Sequence, residues 1–396
     1  MTPGDLDTLI SSIAVDPVAM ILVGLALLVL VILIIGTFFG YFRVLLNIAL
    51  FAYPVARVKA VGNPFVTRSQ AEALAESGSF SEFLTVLMES GAGPQIPENT
   101  TLEGVEKILE TWHYQEIQKM GASLPDAIRP FFSAYIGIFE GEQIIAALRS
   151  VYSAGIRPGA PAHIAEIGCI TPALIDSIGE STDIKDLISR LQGTPYVAPL
   201  AAAFPEYEET SSIGPLESAV RLYVMKNLNA SKGRVDPAVL PAVLAFTGVY
   251  ADVTNILTLL RAKSRNLPLE LVSLWLVPGG AYYEEWRLRQ IYESARPADI
   301  LRQLEGSEYF HVLEPLVQVP GSSIDLGACE LTLDRYMLAK ATGLSSVYHL
   351  TGGPLIKFAV SRKYEMRNLR IFFHTGFEMR TLEEALPNLV LQEAVS

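Results

Sequence analysis

Three stretches of the chain place an acid, an amide three residues later and a basic group nine residues after the acid. They are Glu140, Gln143 and Arg149 in EGEQIIAALR, Asp252, Asn255 and Arg261 in DVTNILTLLR, and Glu365, Asn368 and His374 in EMRNLRIFFH. Acid, amide and base are the materials of general acid–base chemistry, which raises the question of a site written three times. Helix geometry argues against it. At about 100° per residue the acid and the base stand about 180° apart, so the three groups do not converge on one substrate. The acid and the amide instead share a side with the apolar residues that follow: Ile144, Ala147 and Leu148, then Ile256, Leu259 and Leu260, then Leu369, Phe372 and Phe373. Each is an i, i+3, i+4 set on one helix face. Buried polar groups are costly unless paired. The pattern therefore predicts a hydrogen-bonded core contact to a neighbouring helix, reused wherever the packing is reused.

Other chemical signals are sparse. The five histidines, His113, His163, His311, His349 and His374, show no H-x-x-x-H or carboxylate-linked spacing, so no metal ligands are assigned. Cys169 and Cys329 lie far apart without a CxxC partner, which fits structural thiols in a reduced compartment. No GxxxxGK[ST] loop occurs, GAGPQI at Gly91 lacks the third glycine of a dinucleotide fingerprint, and no GxSxG elbow is present. The aromatic run AYYEEW, Ala281 to Trp286, could form a ligand platform, although such clusters more often pack or form interfaces. No catalytic, cofactor-binding or metal-binding residue is assigned, and neither a cofactor nor a small-molecule substrate is expected. The formal net charge of −12 makes the chain a poor match for nucleic-acid phosphates.

The elements that carry these stretches are helical. LESAVRLYVMKNL (Leu216 to Leu228) and EEWRLRQIYESA (Glu284 to Ala295) are amphipathic with a 3.6-residue period, and alternating strand patterns are scarce. The fold class expected is all-α. The acid–amide stretches recur at separations of 112 and 113 residues. A second block keeps the same period: KDLISRLQGTPY (Lys185 to Tyr196) matches ADILRQLEGSEY (Ala298 to Tyr309) at an offset of 113. It pairs Asp186 with Asp299, Gly193 with Gly306 and Tyr196 with Tyr309, and SEFLTVLMES (Ser81 to Ser90) is a weaker third copy. Two blocks at one spacing predict three tandem, pseudo-equivalent helical units, with breaks near Pro64, Pro161 and Pro278. The division expected is an N-terminal segment over 1–44 and helical repeats over 45–160, 161–277 and 278–396.

From Pro17 to Phe42 the chain carries no charged residue. That run exceeds the roughly 20 residues a spanning helix needs, and a transmembrane helix is expected over about 18–39. A cleaved signal peptide is the rival. Its leading segment should be basic, yet Asp5, Asp7 and Asp16 stand there, and no A-x-A site follows. Arg43, Arg57 and Lys59 come after the helix, which by the positive-inside rule places the helical body in the cytoplasm and makes the protein a single-pass protein of the cell membrane. The span itself holds no ionisable group, so it offers no path for protons or sodium.

YPVARVKAVG (Tyr53 to Gly62), YADVTNILTLLRAK (Tyr250 to Lys263) and YEMRNLRI (Tyr364 to Ile371) together resemble the C subunit of the archaeal A-type ATP synthases, a family related to the d subunit of the vacuolar-type ATPases. The similarity extends from about Ala52 to the C-terminus. The resemblance implies a funnel of three pseudo-equivalent helical domains, without catalytic residues of its own. It also implies a place on the cytoplasmic end of the membrane rotor ring, with the foot of the central stalk received in the cavity. Torque would pass through it between ion flow and ATP synthesis or hydrolysis. The N-terminal helix departs from the family, whose members are peripheral. In a rotating part, that helix would have to run through the lumen of the ring, because an off-axis anchor would collide with the stator.

Overall fold

The computed structural model describes residues 17–392 apart from 63, 78, 90–92, 98, 157–162, 294–295, 318–323 and 379. The expected break near Pro161 and the start of the N-terminal segment, 1–16, lie outside the described residues. Among the described residues the regular structure is helical, with two isolated bridges, Thr67 with Gln392 and Ile167 with Ile170. The all-α expectation holds. Two compact units divide the chain, one up to Ala52 and one from Tyr53 to Ser396.

The first unit is built on α1, Pro17–Val61, which continues into the second. Between Val18 and Phe38, fifteen large apolar side chains are exposed. Burying one such side chain is worth about 1.5–3 kcal/mol, so a helix that exposes fifteen of them suits a hydrocarbon solvent. Among the described residues three helices are long and apolar enough to cross a membrane: the one carrying Ile21–Phe38, and those spanning Arg129–Ser153 and Leu240–Ser264. Only the first has none of its apolar window buried; the other two are mostly buried in protein. Gly62, at φ +80°, follows the last turn of α1, the left-handed position that a glycine fills without strain.

Within the second unit come α2 (Arg68–Ala75), α3 (Phe80–Glu89), α4 (Leu102–Ala122) and α5 (Arg129–Ile156). They are followed by α6 (Pro172–Gly179), α7 (Ile184–Arg190), α8 (Val197–Thr210), α9 (Gly214–Ala230) and α10 (Leu240–Ser264). After these come α11 (Leu269–Ser273), α12 (Glu285–Tyr292), α13 (Pro297–Arg302), α14 (Glu308–Val317), α15 (Leu326–Val347) and α16 (Gly353–Phe377). The three acid–amide stretches fall on α5, α10 and α16, each among the longest helices of the unit. Each packs on one long partner, α5 on α9, α10 on α15 and α16 on α4, and α16 also lies along α15. The nine apolar residues singled out from the pattern are all buried, which explains why α5 and α10 are apolar enough to resemble membrane spans.

Local signals fix several of these ends. Thr101, Thr171 and Asp183 cap α4, α6 and α7 by accepting from the backbone N–H groups of Gly104, Leu174 and Asp186. Such caps satisfy donors the helix cannot. Gly193 and Gly306, paired by the repeat, have φ of +89° and +87°. The backbone turn is thus repeated along with the sequence.

The two ends of the unit meet. Phe65, Leu74, Phe83 and Leu87 share one core cluster with Leu369, Phe372, Phe373 and Leu389. Phe83 stands edge-on to Phe373, with ring centroids 5.2 Å apart. The N–H of Gln392 donates to the carbonyl of Val66.

Candidate functional site

The acid, amide and base of each stretch have separate partners. Asn255 donates from Nδ2 to the carbonyl of Val277 and accepts the Val277 N–H at Oδ1, both at 2.8 Å. Asn368 does the same with Val390, at 2.8 and 2.9 Å. Gln143 accepts the N–H of Ala165 at 2.7 Å, while its Nε2 donates to Glu110 and to the Tyr114 hydroxyl. In every case the backbone residue held lies 22 positions downstream. A side-chain amide matches a peptide group donor for acceptor, so it can pin a connecting segment back onto a buried helix. The contact expected with a neighbouring helix is made by Gln143, to Glu110 and Tyr114 of α4; all three amides also hold the backbone of the segment that follows.

The acids hold a second segment. Asp252 accepts the N–H groups of Tyr282 and Tyr283, at 2.8 and 3.3 Å, and the hydroxyl of Tyr309 at 2.9 Å. Glu140 accepts the N–H of Cys169 at 2.9 Å and the hydroxyl of Tyr196 at 3.0 Å. Tyr196 and Tyr309 are the tyrosines paired in the second repeated block, so the two blocks are the halves of one contact. Glu365 instead accepts the N–H of Phe65 at 3.1 Å, 300 residues away, and pairs with Arg362 three residues earlier. Burial raises the pKa of Asp252 against the lowering effect of its N–H and hydroxyl donors. It raises that of Glu365 against the opposing Arg362. Burial also pushes the Tyr196 and Tyr309 hydroxyls up, Glu140 and Asp252 adding to it, so both stay protonated donors.

The basic groups point to a third contact. Arg149 pairs with Glu217 at 2.7 Å, Arg261 with Glu330 at 2.5 Å and His374 with Glu106 at 2.9 Å. Glu217, Glu330 and Glu106 stand on α9, α15 and α4, the long partner helices. The 180° separation expected between acid and base is realised as two distinct attachments.

Sequence reasoning missed Gly168 and Gly280, which are 112 residues apart. A β-carbon on either would lie within 2.0 Å of a carboxylate oxygen, of Glu140 at Gly168 and of Asp252 at Gly280. Only glycine lets the backbone come that close. The repeat spacing itself was the signal that could have found them, as it could have found Glu217 and Glu330, 113 apart. Of the aromatic run, Tyr283 is buried and its N–H serves Asp252, whereas Tyr282 and Trp286 are exposed. Among the described residues no group of histidine, cysteine and acidic side chains is arranged to hold a metal.

What these attachments accomplish is cohesion, and comparison with known proteins gives that cohesion its setting. The family model of the ATP synthase (C/AC39) subunit matches residues 54–374. The chain belongs to that family. It is therefore a non-catalytic subunit of a rotary ATP synthase, a membrane-associated complex. Among similar proteins is the C subunit of the A-type ATP synthase of Methanothermobacter thermautotrophicus, 24% identical over 348 residues, covering 87% of this chain and 89% of that protein. The C subunit from Thermococcus onnurineus is 25% identical over 347 residues, covering 85% and 90%. The one from Methanobrevibacter smithii is 29% identical over 199 residues, covering 50% and 51%. The family match begins at residue 54, so the apolar span precedes it.

Proposed function

We propose that this protein is the central-stalk connector of the synthase, joining the membrane rotor ring to the central stalk and carrying torque between ion translocation and ATP synthesis or hydrolysis. The observation that carries the reading is the set of buried clamps, one on each of α5, α10 and α16. A torque-bearing part must resist shear between its segments. Clamps that fasten successive connections to buried helices supply that resistance, and close packing transmits strain. We group the body into three helical units centred on these helices. The third takes its closing segment, Pro64 to Glu89, from the N-terminal side of the chain through the Phe65 N–H and the Glu365 carboxylate. This grouping moves residues 64–89 from the first of the units drawn from sequence to the last. A chain of stacked units frays at its ends; joining the two ends removes that weakness.

In the same proposal α1 crosses the membrane through Val18 to Phe39, in the lumen of the ring, with the body on the cytoplasmic side. What supports this is the uncharged, exposed apolar stretch and the basic residues Arg57 and Lys59 beyond it. Extraction in mild detergent tests the connector role: ring and stalk proteins should co-purify with this chain, and a set of partners containing neither overturns it. Crosslinkers placed at Leu27 or Leu30 test the lumen. Capture of ring proteins is expected, and capture of stator proteins alone rejects the placement.

A further inference from the structure

A cavity of about 320 Å3 lies between the end of α1, α15 and the first turns of α16. Lys59 and Gly62 line one side, Ser345 another, and Pro354, Lys357 and Ser361 the third. The α16 residues follow the i, i+3, i+7 spacing of one helix face. No carboxylate belongs to this wall, although the chain has 42 acidic residues against 30 lysines and arginines. Two cations without an anion are thus gathered in an acidic protein.

Three independent features show the same chemistry. Among the described residues neither lysine has a carboxylate partner, and burial by itself lowers the pKa of Lys357. An oxyanion beside its ammonium would reverse that penalty. Pro354 stands in the first turn of α16, a 25-residue helix, whose amino end carries the positive pole of the macrodipole. Ser361 is fully buried, and its Oγ has no hydrogen-bond partner. Hydroxyls within helices commonly donate to the carbonyl four residues back, as Thr247 and Thr375 do here. Ser361 does not, which leaves a buried hydroxyl without a partner on a residue of the cavity wall.

We propose that this cavity binds a phosphate-class oxyanion, with Lys59 and Lys357 supplying the charge, Ser361 a hydroxyl and the amino end of α16 the favourable dipole. Phosphate fits better than a halide because tetrahedral oxygens can meet separate donors on different elements. The group could arrive free in solution, as inorganic phosphate, pyrophosphate or the terminal phosphates of a nucleotide, or as the headgroup of a lipid. The proposal does not depend on the rotor reading.

The full chain in non-ionic detergent, titrated at constant ionic strength with inorganic phosphate, pyrophosphate and ATP, provides the test by calorimetry and 31P NMR. Saturable binding is expected. Lys357→Ala should weaken it at least about tenfold, Lys59→Ala by a similar factor, and Ser361→Ala by about threefold. Thermal unfolding of each unliganded variant confirms that it is folded, and exposed Lys59 provides a variant that leaves the core untouched. A second arm replaces the detergent with micelles containing phosphatidic acid or phosphatidylcholine. Binding of phosphatidic acid in preference to the choline lipid, diminished in the same variants, identifies a headgroup site; binding of the soluble anions alone identifies a soluble ligand. The proposal is overturned if neither arm shows saturable binding up to about 10 mM, or if Lys59→Ala and Lys357→Ala bind as tightly as the wild type.

Discussion

Replacing Asn255 with alanine tests the clamp directly. The side chain makes two hydrogen bonds of 2.8 Å, to the N–H and the carbonyl of Val277, and both residues are buried. Truncation leaves a buried peptide group with neither partner. An unsatisfied buried group costs about 1–3 kcal/mol, so the pair gives about 2–6 kcal/mol. The vacated space is polar enough for a water to enter and recover part of that, which brings the expected loss to about 2–4 kcal/mol. A body of this size loses roughly 1.5 °C in Tm per kcal/mol, from the usual unfolding entropy per residue. The melting temperature of the full chain in mild detergent should therefore fall by about 3–6 °C. Hydrogen exchange gives a local readout: the Val277 amide should lose protection, whereas Val390, held by Asn368, should keep its own. An unchanged Tm together with unchanged exchange at Val277 would refute the view that the repeated amide is a structural clamp.

Three further outcomes follow from the same contacts. Tyr309→Phe removes a hydroxyl donor from buried Asp252 and Tyr196→Phe one from half-buried Glu140, and each should cost about 1–2 kcal/mol; the two share no partner, so chemical denaturation of the double variant should show additive losses. Gly280→Ala drives a methyl to within 2.0 Å of the Asp252 carboxylate and should cost about 2–4 kcal/mol. Gly179→Ala meets nothing within 4 Å and should be neutral or slightly stabilising in the same assay. The pH dependence has a definite sign. Burial raises the folded pKa of Asp252 above its unfolded value, so its contribution is fully present below about pH 4 and is lost as pH rises through the folded pKa. The Tm advantage of the wild type over Asp252→Asn should consequently shrink from pH 4 upward, and an advantage that grows over that range would contradict the assignment.

Much of this organisation was legible before any coordinates. The 112- and 113-residue spacing identified the helices that carry the clamps, and the second repeated block supplied the tyrosines that reach Glu140 and Asp252. Helical phase alone separated Arg261 from Asp252, and the structure places those residues in an exposed ion pair and a buried hydrogen-bond cluster respectively. The identity of the amide's partner was not legible. A backbone peptide has no side-chain signature, so nothing at Ala165, Val277 or Val390 marks it as held.

The sequence by itself determined an all-helical chain with a repeated helix and one apolar span, because periodicity and the absence of charge are local properties. By length and composition α5 and α10 also pass as candidate spans among the described residues; burial against neighbouring helices sets them apart from the exposed apolar stretch of α1. Tertiary structure likewise decided how the last copy of the pattern is satisfied. Where Glu140 and Asp252 hold backbone N–H groups that follow them in the chain, Glu365 takes the N–H of Phe65. That pairing spans 300 residues, and no local pattern encodes it: it exists because folding brings the two ends of the helical body together.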